Sequence, residues 1–371
     1  MPLILSEEAR LVRDTALDFF RQRSPVTALR KLRDSNDADG FSRDLWRQMA
    51  DLGWTGFLVG EDDGGSGFGM TGLAQVMEAS GRSLAATPLM STALLGASLL
   101  ALAGSERQKA DYLQPLLAGE HIVALALEET SRHAPDRIAL SAEPDGAGYR
   151  LSREKGFVLD GHVADTLIVA ARTGGGVTLF LVPGEAAIRS RLIMVDSRNA
   201  ARIRLDNVTV GAEAVLGRVD GGGDVLDLTL DRARAGLAAE MLGSAQEAFD
   251  RSVQYLKDRK QFGVAIGSFQ ALKHRAAQMF CELEMTRSAA LAAVSSLDRN
   301  GNDASALASL AKFKANETLF LCANEAVQMH GGIGMTDEHE IGFFLKRSRV
   351  AQASFGDSRF CRDRYARLSG Y

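Results

Sequence analysis

Along the first hundred or so residues the apolar positions recur every three or four. Ala9, Val12, Ala16, Phe19 and Phe20 form one such series and Leu45, Met49 and Leu52 another, the repeat of a single helical face. Ser42 stands ahead of the second series as an N-cap. "SERQKADYLQPLLAGE" at 105–120 predicts a further helix, with Ser105 as cap and Gly119 as stop. Between these stretches "EDDGGSGFGM" is rich in glycine but has neither a following Lys-Ser/Thr nor a strand-to-helix setting, so it reads as a flexible connection and not a phosphate cradle.

From about 119 to 225 the repeat shortens to two. "HIVALALEE", "RIALSAE", "GYRLS", "GFVLDG", "DTLIVAAR", "GVTLFLVP" and "ARIRLDNVTV" are strand candidates separated by Asp-Gly, Gly-Gly and Pro-Gly turns. Helical spacing returns after "RVDGGGDV" and runs through about 226–258, 268–298 and 304–330, with a shorter segment near 338–350. Leu230, Ala233, Leu237, Met241, Ala245 and Phe249 trace one apolar stripe; Leu307, Leu310, Lys314, Leu319, Ala323 and Val327 trace a second. The pattern predicts a mostly α protein with a central β domain: an N-terminal helical domain over 1–118, a small antiparallel β domain over 119–225 and a C-terminal helical bundle over 226–371.

Composition narrows the setting. The chain has 371 residues, 46% of them hydrophobic and 24% charged, enough for cores in two or three domains. A net charge of −4 gives no global basic field for nucleic acid or an anionic membrane, so an anion site must be local. Cys281, Cys322 and Cys361 are far apart and lack metal-site spacing, which predicts buried, reduced thiols, no metal and a cytoplasmic protein. The beginning of the sequence has no signal-like region, and the most apolar run, residues 93–103, is too short to span a bilayer.

One stretch, "YLKDRKQFG" at 255–263, is an unusual helix exit. Its basic residues complement a helix dipole and Gly263 offers a left-handed stop, yet Arg259, Gln261 and Phe262 also suit a ligand with phosphate and a planar apolar part. "SFQ" follows at 268–270 and "QMHGGIGMT" at 328–336. These two C-terminal signatures, in this order and spacing, resemble the acyl-CoA dehydrogenase family, and "YRLSREKGFVLDGHVADTLIVAAR" is a weaker echo in the middle region. The resemblance covers essentially the whole chain and is to a divergent, bacterial-type member.

The resemblance implies FAD, partly held by a neighbouring subunit that offers Arg259 to the pyrophosphate together with Phe262, Gln270, Gln328 and Gly332. A guanidinium gives phosphate a directional charged contact, and paired glycines let backbone come close to a ligand. It further implies that Phe157 covers the flavin ring where the family has tryptophan, that Ser358 lies in a segment contacting FAD, and that Asp231 and Arg234 of "LTLDRARAG" face the thioester and pantetheine arm. His330 stands where an aromatic residue is usual and is expected to fill space. Departures are clear in "LEETSRHAPD", which keeps Glu129, Thr130 and Asp136 only loosely, and in Arg153-Glu154 ahead of Lys155.

The implied chemistry is α,β-dehydrogenation of an acyl-CoA thioester, with electrons passing to an electron-transfer flavoprotein and a place in fatty acid or lipid degradation. It needs a carboxylate base. The family's usual base position falls on Phe355 and its alternative on Ala233, and neither takes a proton. Asp357 is the candidate substitute, with Asp231 and Glu240 as neighbouring carboxylates; the competing reading makes Asp357 a turn or FAD-anchoring residue. An oligomer is expected, a homotetramer or homodimer, with a related partner subunit as an alternative. Two other functions stay open at this point: a non-catalytic subunit of a mixed oligomer, and a flavin monooxygenase or nitroalkane-oxidase-like relative on the same scaffold.

Overall fold

The computed structural model describes residues 4–371. In chain order the helices are α1 (Glu7–Arg23), α2 (Val26–Asp34), α3 (Arg43–Asp51), α4 (Gly69–Arg82), α5 (Ala97–Ala103), α6 (Glu106–Gln108), α7 (Gln114–Leu117), α8 (Gly222–Asp258), α9 (Gln270–Asp298), α10 (Ala304–His330), α11 (Ile341–Ala353) and α12 (Ser358–Leu368). The strands are β1 (Val123–Ala126), β2 (Ala142–Asp145), β3 (Gly148–Leu159), β4 (Thr166–Arg172), β5 (Val177–Pro183), β6 (Ile188–Arg191), β7 (Ala200–Gly211), β8 (Val215–Leu216), β9 (Lys260–Gln261) and β10 (Val264–Ala265). The fold is mostly helical, with its strands concentrated in the middle of the chain. Among the described residues no helix is long and apolar enough to cross a membrane, and no group of three ligating side chains is placed to hold a metal. The three cysteines are free thiols; Cys322 and Cys361 are buried, but Cys281 is exposed, against the expectation of three buried thiols.

The chain divides into two compact units. One gathers the segment up to Asp34 with Met70–Ala85 and Arg234–Tyr371; the other holds Ser35–Gly69 and Ala86–Ala233.

In the helical unit, α4 and α8 cross with their backbones nearly touching. A Cβ on Gly81 would lie 1.9 Å from Glu240 O, and one on Gly243 would lie 1.8 Å from Glu78 O. Ser244 Oγ fastens the crossing by donating to Gly81 O at 2.8 Å. Asp298, at the end of α9, caps the start of α4 by accepting from Met70 N at 2.6 Å and Thr71 N at 2.9 Å. The buried hydroxyls of Thr286 and Thr318 meet at 2.7 Å between α9 and α10. The buried face of α10 runs through Ala308, Ala311, Lys312, Ala315, Asn316 and Leu319, so its stripe is rotated from the one the sequence suggests and admits a lysine and an asparagine.

In the other unit, β1-β4-β5-β8 and β2-β3-β7-β6 form two four-stranded sheets. All pairs in them are antiparallel except β1 with β4, which is parallel, a departure from the antiparallel expectation made possible by the long connection between those strands. "GYRLS" and "GFVLDG" are not separate strands but one, β3, whose register shifts between Leu151 and Arg153 and again between Lys155 and Val158. "RIALSAE" contributes only its last two residues to β2. The apolar run after Pro88 opens as a buried π-helical segment, Leu89–Gly96, from which Thr92 Oγ1 donates to Val123 O at 3.0 Å and so holds β1. The caps follow the sequence: Ser42 Oγ accepts from Leu45 N, and Ser105 with Gln108 completes a capping box.

Candidate functional site

Helix α8 ends at Asp258, and the basic exit continues as a hairpin. β9 and β10 pair Gln261 with Val264 and Lys260 with Ala265 around a two-residue turn, Phe262-Gly263, in which both residues have positive φ (53° and 80°). Two consecutive left-handed residues make the turn that suits a tight hairpin, and Gly263 takes the second without strain. Phe262 takes the first, which holds its ring out: it is 90% exposed and contacts Phe269 edge-on, with centroids 6.1 Å apart. Arg259, Gln261 and Gln270 are exposed on the same short segment.

The second signature is bound to the first by rings. His330 is buried at the end of α10 and stacks on Tyr255 of α8 with centroids 4.4 Å apart. Its Nδ1 lies 2.7 Å from Ala326 O, and its other flank meets His339, centroids 4.7 Å apart. Burial holds the His330 pKa below its ordinary value. His330 therefore fills space beside the Gly331-Gly332 turn, as expected from the sequence. Gln328, Gly331 and Gly332 are exposed there. Thus one unit presents a guanidinium, a ring, three amides and a glycine turn outward, a set that fits a nucleotide cofactor reached from outside the chain.

The loop from Ser354 to Asp357, where the family's base would stand, is gripped from within. Phe355 and Gly356 both have positive φ, 56° and 115°. Arg234 Nε donates to Phe355 O at 3.0 Å, and its guanidinium lies 5.4 Å from the centre of the Phe360 ring. Lys312, wholly buried, donates to Asn316 Oδ1 at 2.6 Å, Ala351 O at 3.0 Å and Gly356 O at 3.1 Å. Burial pushes the Lys312 pKa down to about 7, while three surrounding oxygens match the three hydrogens of its charged form. Asp357 is exposed and is the N-cap of α12, its Oδ1 accepting from Phe360 N at 2.8 Å. Ser358 Oγ donates to Glu317 Oε1. Of the neighbouring carboxylates, Glu240 is buried against Arg347, with Oε1 2.9 Å from Nη2, and Asp231 is buried on α8, as is Ala233.

In the sheet unit Phe157 is half-buried near the end of β3, bridged by its backbone to Glu128. Two residues earlier, Lys155 is wholly buried and ion-paired with Glu129 at 2.6 Å. Thr130 Oγ1 donates to Arg132 O, and Asp136 O accepts from Arg172. The sequence reading missed the Lys155–Glu129 pairing and the buried Lys312. A lysine within an apolar stripe, four residues before an asparagine, was the available signal for the second; nothing local announces the first, since its partners are 26 residues apart.

Comparison with known proteins places these observations. The family model described as the acyl-CoA dehydrogenase N-terminal domain matches residues 6–120, and that of the acyl-CoA dehydrogenase C-terminal domain matches residues 220–369. A probable acyl-CoA dehydrogenase of Bacillus subtilis is 31% identical over 95% of this chain and 96% of its own length. A subunit of the caffeyl-CoA reductase–Etf complex of Acetobacterium woodii is 30% identical over 94% of each. Among solved structures, a chain of the ChsE4-ChsE5 complex from Mycobacterium tuberculosis superposes with a TM-score of 0.91 at 25% identity, covering all of both chains.

Proposed function

The chain belongs to the acyl-CoA dehydrogenase family of oxidoreductases, and on that premise we propose that it binds FAD and removes hydrogen from the α and β carbons of an acyl-CoA thioester. The observation that carries this reading is the outward set Arg259, Phe262, Gln270, Gln328 and Gly332, gathered through the hairpin and the Tyr255–His330 stack. Exposed on one chain, these groups serve a cofactor held mainly by a second copy, which makes the protein an obligate oligomer, a dimer or a tetramer of dimers. Arg259 neutralises the pyrophosphate, Phe262 covers it, and Gln328 with Gly332 receives the adenine end. By the family resemblance, Phe157 of the sheet unit would cover the flavin ring, Ser358 of the helical unit would lie in a segment contacting the cofactor, and Asp231 and Arg234 would meet the thioester arm. FAD, when bound, accepts the β-hydrogen as hydride. The chain's task is to hold the thioester, exclude water and take the α-proton on a carboxylate, for which Asp357 is the candidate. A relative is a subunit of a complex of caffeyl-CoA reductase with Etf, which supports an electron-transfer flavoprotein as electron acceptor here; a role in degrading fatty or other lipid acyl groups follows only from the family reading.

A second reading rests on Phe355 and on the capping contact of Asp357: the chain completes the site of a related partner and has no base of its own. That a similar chain occurs in a complex of two named components supports it. One experiment addresses both. The purified protein is examined by absorbance before and after anaerobic titration with a panel of acyl-CoA thioesters. A flavin spectrum bleached by a thioester supports the catalytic reading, and a flavin spectrum that no thioester bleaches supports the second. A preparation that neither carries nor takes up FAD overturns both.

A further inference from the structure

Lys155 and Glu129 tie together four segments of the sheet unit. Besides Glu129 Oε1, Lys155 Nζ donates to Ala170 O on β4 at 2.7 Å and to Leu127 O, just past β1, at 3.2 Å. The Glu129 carboxylate also accepts from Ala139 N and Leu140 N, each at 3.0 Å, in the approach to β2, and meets Arg153 Nε at 3.2 Å. Burial alone would raise the Glu129 pKa, and the Lys155 ammonium and the two N–H groups outweigh it, leaving the carboxylate ionised and below its ordinary value. Glu128, next in line, folds the same loop back on itself: its Oε1 lies 2.5 Å from His133 Nδ1, and its carbonyl accepts from Gly156 N at 2.8 Å.

The anchor lies where β3 is irregular. Its register shifts between Lys155 and Val158, and Phe157 lies inside that shift with its backbone bridged to Glu128. A bulge re-aims a side chain only as firmly as its flanks are held. Lys155 holds one flank from inside the sheet and the Glu128-Glu129 segment holds the other. Stability alone is a poor reason for such a pair, since apolar residues of similar volume usually do as well in a buried position.

We infer that the Glu129–Lys155 pair is a positioning device, which sets the bulge carrying Phe157 and the loop of residues 128–134 in the geometry a flavin ring needs before the cofactor arrives. The inference rests on the flavin reading above.

The test uses the full-length protein as Glu129→Gln, Lys155→Met and the double variant, with FAD dissociation on dilution followed by flavin fluorescence and the thermal midpoint measured alongside. Each single variant is expected to weaken FAD binding about tenfold or more and to lower the midpoint, because each leaves a buried partner unmatched. The double variant removes the charges together and is expected to recover part of the midpoint, the Leu127 and Ala170 carbonyls still lacking the ammonium, while FAD binding and the flavin's visible band shape stay altered. A double variant that binds FAD like the wild type, with the same band shape, overturns the positioning role and leaves the flavin reading intact. Wild-type protein that takes up no FAD overturns that reading and the inference with it.

Discussion

The imidazole of His330 lies nearly flat on the phenol ring of Tyr255, centroids 4.4 Å apart and planes 27° from parallel, and this contact joins the two signatures that would meet the cofactor. Stacked rings contribute roughly 0.5–1.5 kcal/mol beyond the area they bury. Tyr255→Leu is therefore expected to weaken FAD retention about two- to tenfold, whereas His330→Phe, which keeps a ring, retains it; gel filtration with flavin absorbance distinguishes the two. His330 also sets a pH effect. Burial lowers its folded pKa below 6.5, so as pH falls through that value the unfolded chain takes up the proton first and stability is lost towards acid. His330→Phe should flatten that part of the stability profile.

The α4–α8 crossing makes an opposite prediction from helix propensity. Alanine for glycine inside a helix normally stabilises by about 0.5–1 kcal/mol. At Gly81 and Gly243 the added methyl would press on the carbonyls of Glu240 and Glu78 at 1.9 and 1.8 Å, far inside contact distance. Gly81→Ala and Gly243→Ala should each destabilise by about 3 kcal/mol or more, since neither backbone can withdraw without unpacking its helix. Soluble yield and the thermal midpoint would show it; a variant as stable as the wild type would mean that the two helices lie further apart.

A buried acid lies outside the candidate site. Asp160 follows β3 with its Oδ2 accepting from Ser91 Oγ at 2.6 Å, and burial raises its pKa from 3.8 to about 6. With the folded pKa above the unfolded one, its contribution is fully present below about pH 4 and is lost as pH rises through 6. Asp160→Asn keeps an acceptor for Ser91 and removes the buried charge. It should gain stability at pH 7.5, by at most roughly 3 kcal/mol, and lose that gain near pH 4. Denaturant melts at the two pH values test this.

Local chemistry made much of the fold readable in advance. Helix spacing at 226–258, 268–298 and 304–330 appears as α8, α9 and α10 with ends within a few residues, because long amphipathic repeats and caps are properties of short windows. The two C-terminal signatures were readable for the same reason, since each is a short local motif. What escaped depends on distant partners. β3 looked like two strands because its bulges interrupt the alternation, and the parallel β1–β4 pair joins residues more than forty positions apart. Lys312 escaped because a charge that satisfies an asparagine oxygen on its own helix and two carbonyls, at the end of α11 and in the following loop, looks, in sequence, like a solvated residue. Asp357 was visible as a carboxylate but not as a cap, since no helix was expected after it.

That double character of Asp357 allows the two readings of the reaction to be separated. Its carboxylate accepts from Phe360 N and starts α12, so replacement by alanine would remove both a cap and a carboxylate and decide nothing. Asparagine caps a helix about as well as aspartate does, yet it is not a base. Asp357→Asn should therefore leave the thermal midpoint and FAD content close to those of the wild type, while Asp357→Ala costs about 1 kcal/mol of stability. If Asp357 takes the α-proton, anaerobic bleaching of the flavin by an acyl-CoA slows in the asparagine variant by about a hundredfold or more, the scale of a lost general base. If it bleaches at the wild-type rate, Asp357 is only a cap. Phe355→Glu then supplies the complementary arm, because it returns a carboxylate to the position the family uses, in a loop whose backbone Arg234 and Lys312 already hold. A gain in bleaching from Phe355→Glu in a wild type that bleaches slowly or not at all would show a site complete except for its base, as the partner-subunit reading requires.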